Sequence, residues 1–417
     1  MQLSKKNKMK ILHTSDWHLG RQLYNQKRTA EFEAFLNWLI QTIEEQNIDT
    51  LLVAGDVFDT TTPSAFTQEM YYDFLHKASN TCCQNIVLIG GNHDSAMLLN
   101  APKQLLKSMN IHVVGEMCEK PEDELITIYS KDKKPQAIVC AVPFLRDKDV
   151  RLVKPYESID EKVAQLVEGI TAHYEEVAKL SVERIRQLEH KLPVIAMGHL
   201  FTTADRSNSG DGVRELYVGT LAHISGERFS NIFDYVALGH LHIAQKVGGE
   251  EHKRYSGSPI PMGFNEALQT KKVVIVEFEN GERSISQIEV PCFKKLARIT
   301  GSAFAIREQV SNLVSEQTDC WLEVNLTEGD NALDLSTELT TITEKSTVTL
   351  LSVKDTRAKV YNALTSSGNV TLEELTPNDV FEKFLESNSI SEELKPTLIT
   401  CFDEILMHFN EIKPEII

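Results

Sequence analysis

Five apolar runs in this chain end the same way, in a tight turn followed by side chains that can bind a metal. ILHTS delivers Asp16 and His18, LLVAG delivers Asp56, and IVLIGG delivers Asn92 and His93. VIAMG delivers His199, and YVALG delivers His240 and His242. Short runs of Val, Ile and Leu read as buried strands, and residues just past the carboxyl ends of such strands gather at one sheet edge. Asp-x-His alone is a weak signal, but five strand ends carrying related chemistry form a strong one. The alternation with helical segments predicts an α/β layered core with a ligand cluster at that edge.

The helical segments fit this layering. From Thr29 to Gln46, Phe32, Phe35, Leu36, Leu39, Ile40 and Ile43 recur at helical spacing, a stripe best explained by packing on a sheet. Further helices are expected over Ser64 to Ala78 and Ser158 to His190. Strands are expected in IHVV, ELITIY and AIVCAVPF, and then as closing strands in Lys253 to Ile260 and Lys272 to Phe278. The polar, Gly- and Ser-rich stretch from Phe201 to Arg214 reads as a surface loop beside the site.

The core domain is expected to span 9–281. Residues 282–356 read as a separate β-α-β-α-β domain, with helices near Ala303 to Leu313 and Leu333 to Thr343. A polar linker, 357–376, contains Ser366, Ser367, Gly368 and Asn369. The final segment, 377–417, carries two helices, about 377–386 and 391–412, with large apolar faces. From the residues alone, packing on the same chain and docking a partner remain equally good accounts of them.

Composition narrows the function. A net charge of −17 over 417 residues argues against generic coating of nucleic acid. It leaves open a DNA enzyme whose site is made attractive locally by bound cations. Seven cysteines without repeating spacing, including the adjacent pair Cys82 and Cys83, make no disulfide framework and favour a reducing cytoplasm. CxxC knuckles are absent, so a metal must be held by His, Asp and Asn. The basic lead-in MQLSKKNKMK lacks the apolar core of a signal peptide, and no apolar run approaches a membrane span.

The collected ligand set is Asp16, His18, Asp56, Asn92, His199, His240 and His242, too many donors for one zinc. It suits two divalent ions about 3.5–4 Å apart, with Asp56 as the bridging carboxylate. Oxygen and nitrogen donors without thiolate fit manganese or iron, with zinc or magnesium as alternatives. Such a pair activates water at neutral pH and offsets charge on a phosphate. His93 is the candidate non-ligand catalyst, to protonate the leaving oxygen or stabilise charge on the phosphoryl group, with Asp94 expected to fix its tautomer. His76, His112, His173, His190, His223, His252 and His408 read as ordinary surface or capping residues, and His13 as either a neighbour of the site or part of the core.

DWH, GDVFD, GNHD, GH and GHLH, in this order, resemble the calcineurin-like metallophosphoesterase superfamily, and within it the bacterial nuclease subunits that work with an SMC-like ATPase. The resemblance covers nearly the whole chain. It implies a layered α-β-β-α core, a small α/β capping domain that helps orient DNA, and a C-terminal helix pair that docks the ATPase. It implies that Asp16, His18 and His242 hold one metal and Asn92, His199 and His240 the other, with Asp56 between them and His93 as catalyst. Where archaeal and eukaryotic relatives carry a second histidine after the bridging aspartate, this chain has Asp59, placed to contact substrate or a bound water. Manganese-dependent cleavage of DNA is implied, as a 3′ to 5′ exonuclease on double-strand ends and an endonuclease on hairpins and single strands. So are a homodimer within a heterotetramer and ATP bound only by the partner. A small-ester phosphodiesterase or phosphatase, and a non-catalytic scaffold, are the alternatives.

Overall fold

The computed structural model describes residues 8–151, 157–203, 224–329, 331–357 and Phe402. The chain forms two compact units, Met1–Leu296 and Ala297–Ile417. The first holds two six-stranded sheets. One runs in the order Glu282–Glu289, Lys272–Glu279, Lys8–Thr14, Thr50–Ala54, Asn85–Ile89, Ile111–Val114. The other runs Gln245–Val247, Glu250–Tyr255, Tyr235–Gly239, Val194–His199, Pro135–Ala141, Leu125–Tyr129. In the first sheet the four strands from Lys8–Thr14 to Ile111–Val114 are parallel, and the hairpin of Lys272–Glu279 and Glu282–Glu289 adds antiparallel. In the second the four central strands are parallel and both outer pairs antiparallel.

All of Thr50–Ala54 is buried because its alternate side chains enter different layers. Leu51 and Val53 pack with Phe32, Phe35 and Leu39 of the helix Thr29–Gln46 and with Phe74 of the helix Ala65–Ser79. Leu52 and Ala54 pack with Val139, Ile195 and Met197 of the second sheet. On that sheet's far face, Ile138, Ala196 and Val236 are covered by Leu166, Ile170 and Val177 of the helix Ile159–Leu188. The layers are therefore helix, sheet, sheet, helix, the expected α-β-β-α order.

The first helix has its expected bounds, and the next two begin one residue later because Ser64 and Ser158 cap them. Each serine Oγ accepts a backbone N–H three residues on, at 3.2 Å. Two expectations change. Lys253 to Ile260 is not one strand: the ladder stops at Tyr255, because Gly257 turns the chain at φ 76° and Ser258 N goes to the His242 carbonyl at 3.1 Å. The turn at Asn280 and Gly281, expected as the domain boundary, is instead the tip of a hairpin. Glu282–Glu289 pairs along the full length of Lys272–Glu279, and the units divide after Leu296.

The second unit has the expected β-α-β-α-β order. Cys320–Glu328 lies between Lys295–Ser302 and Val348–Asp355, with the helices Ala303–Ser315 and Ala332–Thr343 packed through Ile306, Val310, Leu335 and Leu339. The expected linker 357–376 and the two terminal helices lie outside the described residues (Arg357 and Phe402 apart), as do most of the 201–214 loop, His223 and His408. Among the described residues the cysteines are free, and no helix is long and apolar enough to cross a membrane.

Candidate metal centre

Parallel register brings the ligand-bearing ends together. Thr14 pairs with Val53 and Ala54 with Ile89 in one sheet, and His199 pairs with Gly239 in the other. Past the first two strand ends the ladder continues as turns: Asp16 N donates to Gly55 O and His18 N to Asp56 O, both at 3.0 Å. Between the two polar residues, Trp17 points the other way. It is fully buried against Phe35 and Phe74, and its indole N–H donates to Thr14 Oγ1 at 3.0 Å, pinning the turn to the helix layer.

Four of the seven expected ligands have left-handed backbone: Asp16 at φ 53°, His18 at 49°, Asp56 at 51° and His240 at 104°. Non-glycine residues held there cost on the order of 1–3 kcal/mol each and persist where the surroundings over-determine them. Close packing also fixes Asp56. A Cβ on Gly91 would lie 2.1 Å from Asp56 Oδ1, so only glycine fits beside that carboxylate.

The structure brings all seven residues into one cluster. Ligand atoms of Asp16, His18 and His242 lie within 4.8 Å of one another, as do those of Asp16, Asp56 and His199. Asn92 Oδ1 lies 3.0 Å from His199 Nε2 and 3.1 Å from His240 Nδ1. Asp56 Oδ2 lies in the middle, 3.6 Å from His18 Nε2 and 3.3 Å from His199 Nε2. Its other oxygen accepts the His93 backbone N–H at 2.9 Å. Asp16, His18, Asp56 and His199 are buried, whereas Asn92, His93, His240 and His242 are half-buried and form the open side.

The donor chemistry fits divalent cations. The Ala54 carbonyl can only accept, so the His199 Nδ1 lying 2.9 Å from it carries the proton. His199 Nε2 then turns its lone pair toward the oxygens of Asp56 and Asn92. Acceptors that converge like this in a dry site need a positive charge between them. The Nε2 atoms of His18 and His240 are buried without a hydrogen-bond partner, as unfilled ligand atoms would be. Without a metal, a proton takes that role. Burial pulls His199 down, but Asp56, Asp16 and the Ala54 carbonyl together hold it up to about 9. Burial works to raise Asp56, yet His199, His18 and His93 keep it well below the usual carboxylate range.

The surroundings of the catalytic candidate differ from expectation. Asp94 does not hold the His93 ring. Its buried carboxylate accepts the backbone N–H groups of Val57, Phe58 and Gly91 at 3.1, 2.9 and 2.9 Å, tying the Asp56 turn to the Asn92 turn. His93 Nδ1 instead lies 3.0 Å from the Asp59 carbonyl, which leaves Nε2 as the ring's acid–base atom. The Asp59 carboxylate lies 3.3 Å from His18 Nδ1 and accepts from Arg21 Nη1 at 2.9 Å. Asp59 therefore touches both a candidate ligand histidine and the catalytic candidate.

His13 stays out of the cluster, between the sheets, with Nδ1 2.9 Å from the Tyr235 hydroxyl. His173, expected at the surface, is buried against Glu124 at 2.7 Å. Glu266 and Lys271 were missed: Glu266 Oε1 lies 3.1 Å from His242 Nδ1, and nothing in FNEALQTK marks either residue as part of a site.

A sequence profile for calcineurin-like phosphoesterases matches residues 9–244. The SbcD subunit of the nuclease SbcCD from Escherichia coli (strain K12) is 36% identical over 95% of this chain and 98% of its own length. The chain belongs to the SbcD family of calcineurin-like phosphoesterases. Two further relatives, the SbcD subunits of the SbcCD nucleases of Rhodobacter capsulatus and Bacillus subtilis, are 34% and 32% identical. They align over 66% and 67% of the chain, and 67% and 68% of their own lengths. The profile SbcD_C, described as a type 5 capsule protein repressor C-terminal domain, matches residues 292–389 and begins close to where the second unit starts.

Proposed function

We propose that this chain is a metal-dependent DNA nuclease subunit that hydrolyses phosphodiesters in a complex with the SMC-like ATPase SbcC. The observation that carries this reading is Asp56 Oδ2, set between a histidine from each half of the ligand cluster, in a chain of the SbcD family. Asp16, His18 and His242 would hold one divalent cation and Asn92, His199 and His240 the other, with Asp56 within reach of both. Manganese fits the donor set, with iron, zinc or magnesium as alternatives. Two such cations, when bound, would supply an activated water and offset the charge that develops on the phosphate. His93, on the half-buried side, donates a proton from Nε2 to the leaving oxygen, while the Asp59 carbonyl keeps the proton on Nδ1.

The reaction proposed is 3′ to 5′ exonuclease cleavage from double-strand ends and endonuclease cleavage of hairpins and single strands, in repair and recombination. The second unit acts as the capping domain and 377–417 docks the ATPase, with a homodimer at the centre of a heterotetramer. ATP binds only on SbcC, and the complex works in the cytoplasm, at the nucleoid.

The test uses purified chain, manganese and an end-labelled DNA hairpin, with and without SbcC and ATP. Cleavage is expected, is stimulated by SbcC with ATP, and vanishes in Asp56→Asn. Turnover of small phosphate esters with no DNA cleavage under any condition would replace this reading with a small-ester phosphodiesterase. A chain that binds no divalent ion would instead be a scaffold.

A further inference from the structure

The loop after Tyr255 returns to the metal centre without supplying a ligand, and it carries a buried ion pair. Glu266 is 3% exposed and Lys271 is 6% exposed, with Lys271 Nζ 2.6 Å from Glu266 Oε2. Taking both charges out of water is costly, and such pairs seldom add stability over an apolar packing. Their placement points elsewhere. Glu266 Oε1 lies 3.1 Å from His242 Nδ1, and Glu266 Oε2 also accepts the Met262 backbone N–H at 2.9 Å. Lys271 Nζ donates to the carbonyl of His242 itself at 3.0 Å, and to Ser258 Oγ and Gln269 Oε1, each at 3.0 Å. The pair therefore grips His242 twice, by its ring and by its backbone.

We infer that Glu266 is a positioning residue that sets the tautomer of His242, and that Lys271 holds Glu266 in place. An ionised carboxylate can only accept, so it fixes the proton on Nδ1 and leaves the Nε2 lone pair for the metal shared with Asp16 and His18. A carboxylate behind the ring also makes Nε2 a stronger donor. The other half of the cluster is backed differently, since His199 Nδ1 rests on the neutral carbonyl of Ala54. Removing Glu266 therefore weakens the Asp16–His18–His242 position selectively.

This inference rests on the ligand assignment proposed above, and titrating full-length wild-type chain with manganese checks that assignment first. Two equivalents bound, with DNA cleavage, uphold it; none bound would overturn it and this inference with it. Manganese affinity is then measured calorimetrically, and bound stoichiometry by electron paramagnetic resonance, for Glu266→Ala and Glu266→Gln. Glu266→Ala is expected to weaken one equivalent about 10- to 100-fold and leave the other unchanged. Glu266→Gln, which keeps a hydrogen-bond acceptor but not the charge, is expected to fall between Glu266→Ala and wild type. If Glu266→Ala fails to fold, Glu266→Gln decides alone. Wild-type affinity for both equivalents in a folded variant would overturn the inference, as would equal weakening of both.

Discussion

Gly91 sits so close to the Asp56 carboxylate that one methyl group becomes a quantitative test of the proposed site. In Gly91→Ala the new carbon would start 2.1 Å from Asp56 Oδ1, 2.3 Å from Asp56 N and 2.8 Å from Asp56 Cγ. Ordinary contact needs more than 3 Å, so the carboxylate and the new side chain must separate by about 1 Å. Asp56 cannot retreat freely, because its backbone is left-handed and its Oδ1 also holds the His93 N–H. Overpacking of this kind costs about 1–3 kcal/mol. A displacement of about 1 Å in a catalytic group costs about 100-fold in rate. Cleavage of the end-labelled hairpin by Gly91→Ala should therefore fall by about two orders of magnitude, with a modest loss of thermal stability. Gly249→Ala is the control: its φ is 72°, with nothing within 4 Å of the added carbon, so it should lose stability without losing cleavage. Gly91→Ala cutting DNA within a few-fold of wild type would refute the idea that Asp56 is held where the chemistry needs it.

His93→Leu should leave manganese stoichiometry intact while slowing hairpin cleavage by about 10²–10⁴-fold; lost metal binding would show that His93 is a ligand rather than the acid. His13 provides a pH prediction. Burial lowers its pKa to about 3, so the folded state resists protonation that the unfolded chain accepts below about 6.5. Its contribution is therefore present above pH 6.5 and is lost as pH falls toward 3. At pH 4.5 that loss is about 2–3 kcal/mol. Urea unfolding of wild type and His13→Gln should converge as pH drops from 7 to 4.5, and parallel curves would contradict the assignment.

The strand-end residues were legible in the sequence because parallel strands leave few places for a side chain after the last ladder residue. A Val-, Ile- and Leu-rich run followed by Asp or His therefore carries position as well as identity. Capped helix starts were legible to one residue, at Ser64 and Ser158. What stayed hidden was whatever depends on contacts distant in sequence. Asp94 stands next to His93 in the chain, and proximity suggested a partnership, but its oxygens answer three backbone donors on two turns. Glu266 lies 24 residues from the histidine it touches, in a loop with no periodicity to read. The hairpin Lys272–Glu279 with Glu282–Glu289 was cut in two because its outer strand is largely exposed and polar, so composition changed where topology did not.

The ligand cluster has no single owner in the fold. Asp16, His18, Asp56 and Asn92 hang from one sheet, while His199, His240 and His242 hang from the other. The spacer between these halves is the apolar layer of Ile11, Leu52, Ala54, Val139, Ile195, Met197 and Ala237. The spacing between these halves is thus set by residues that carry no charge and are fully buried. A methyl group gained or lost deep in that layer acts at a distance on the candidate site, by changing how far apart its two halves stand.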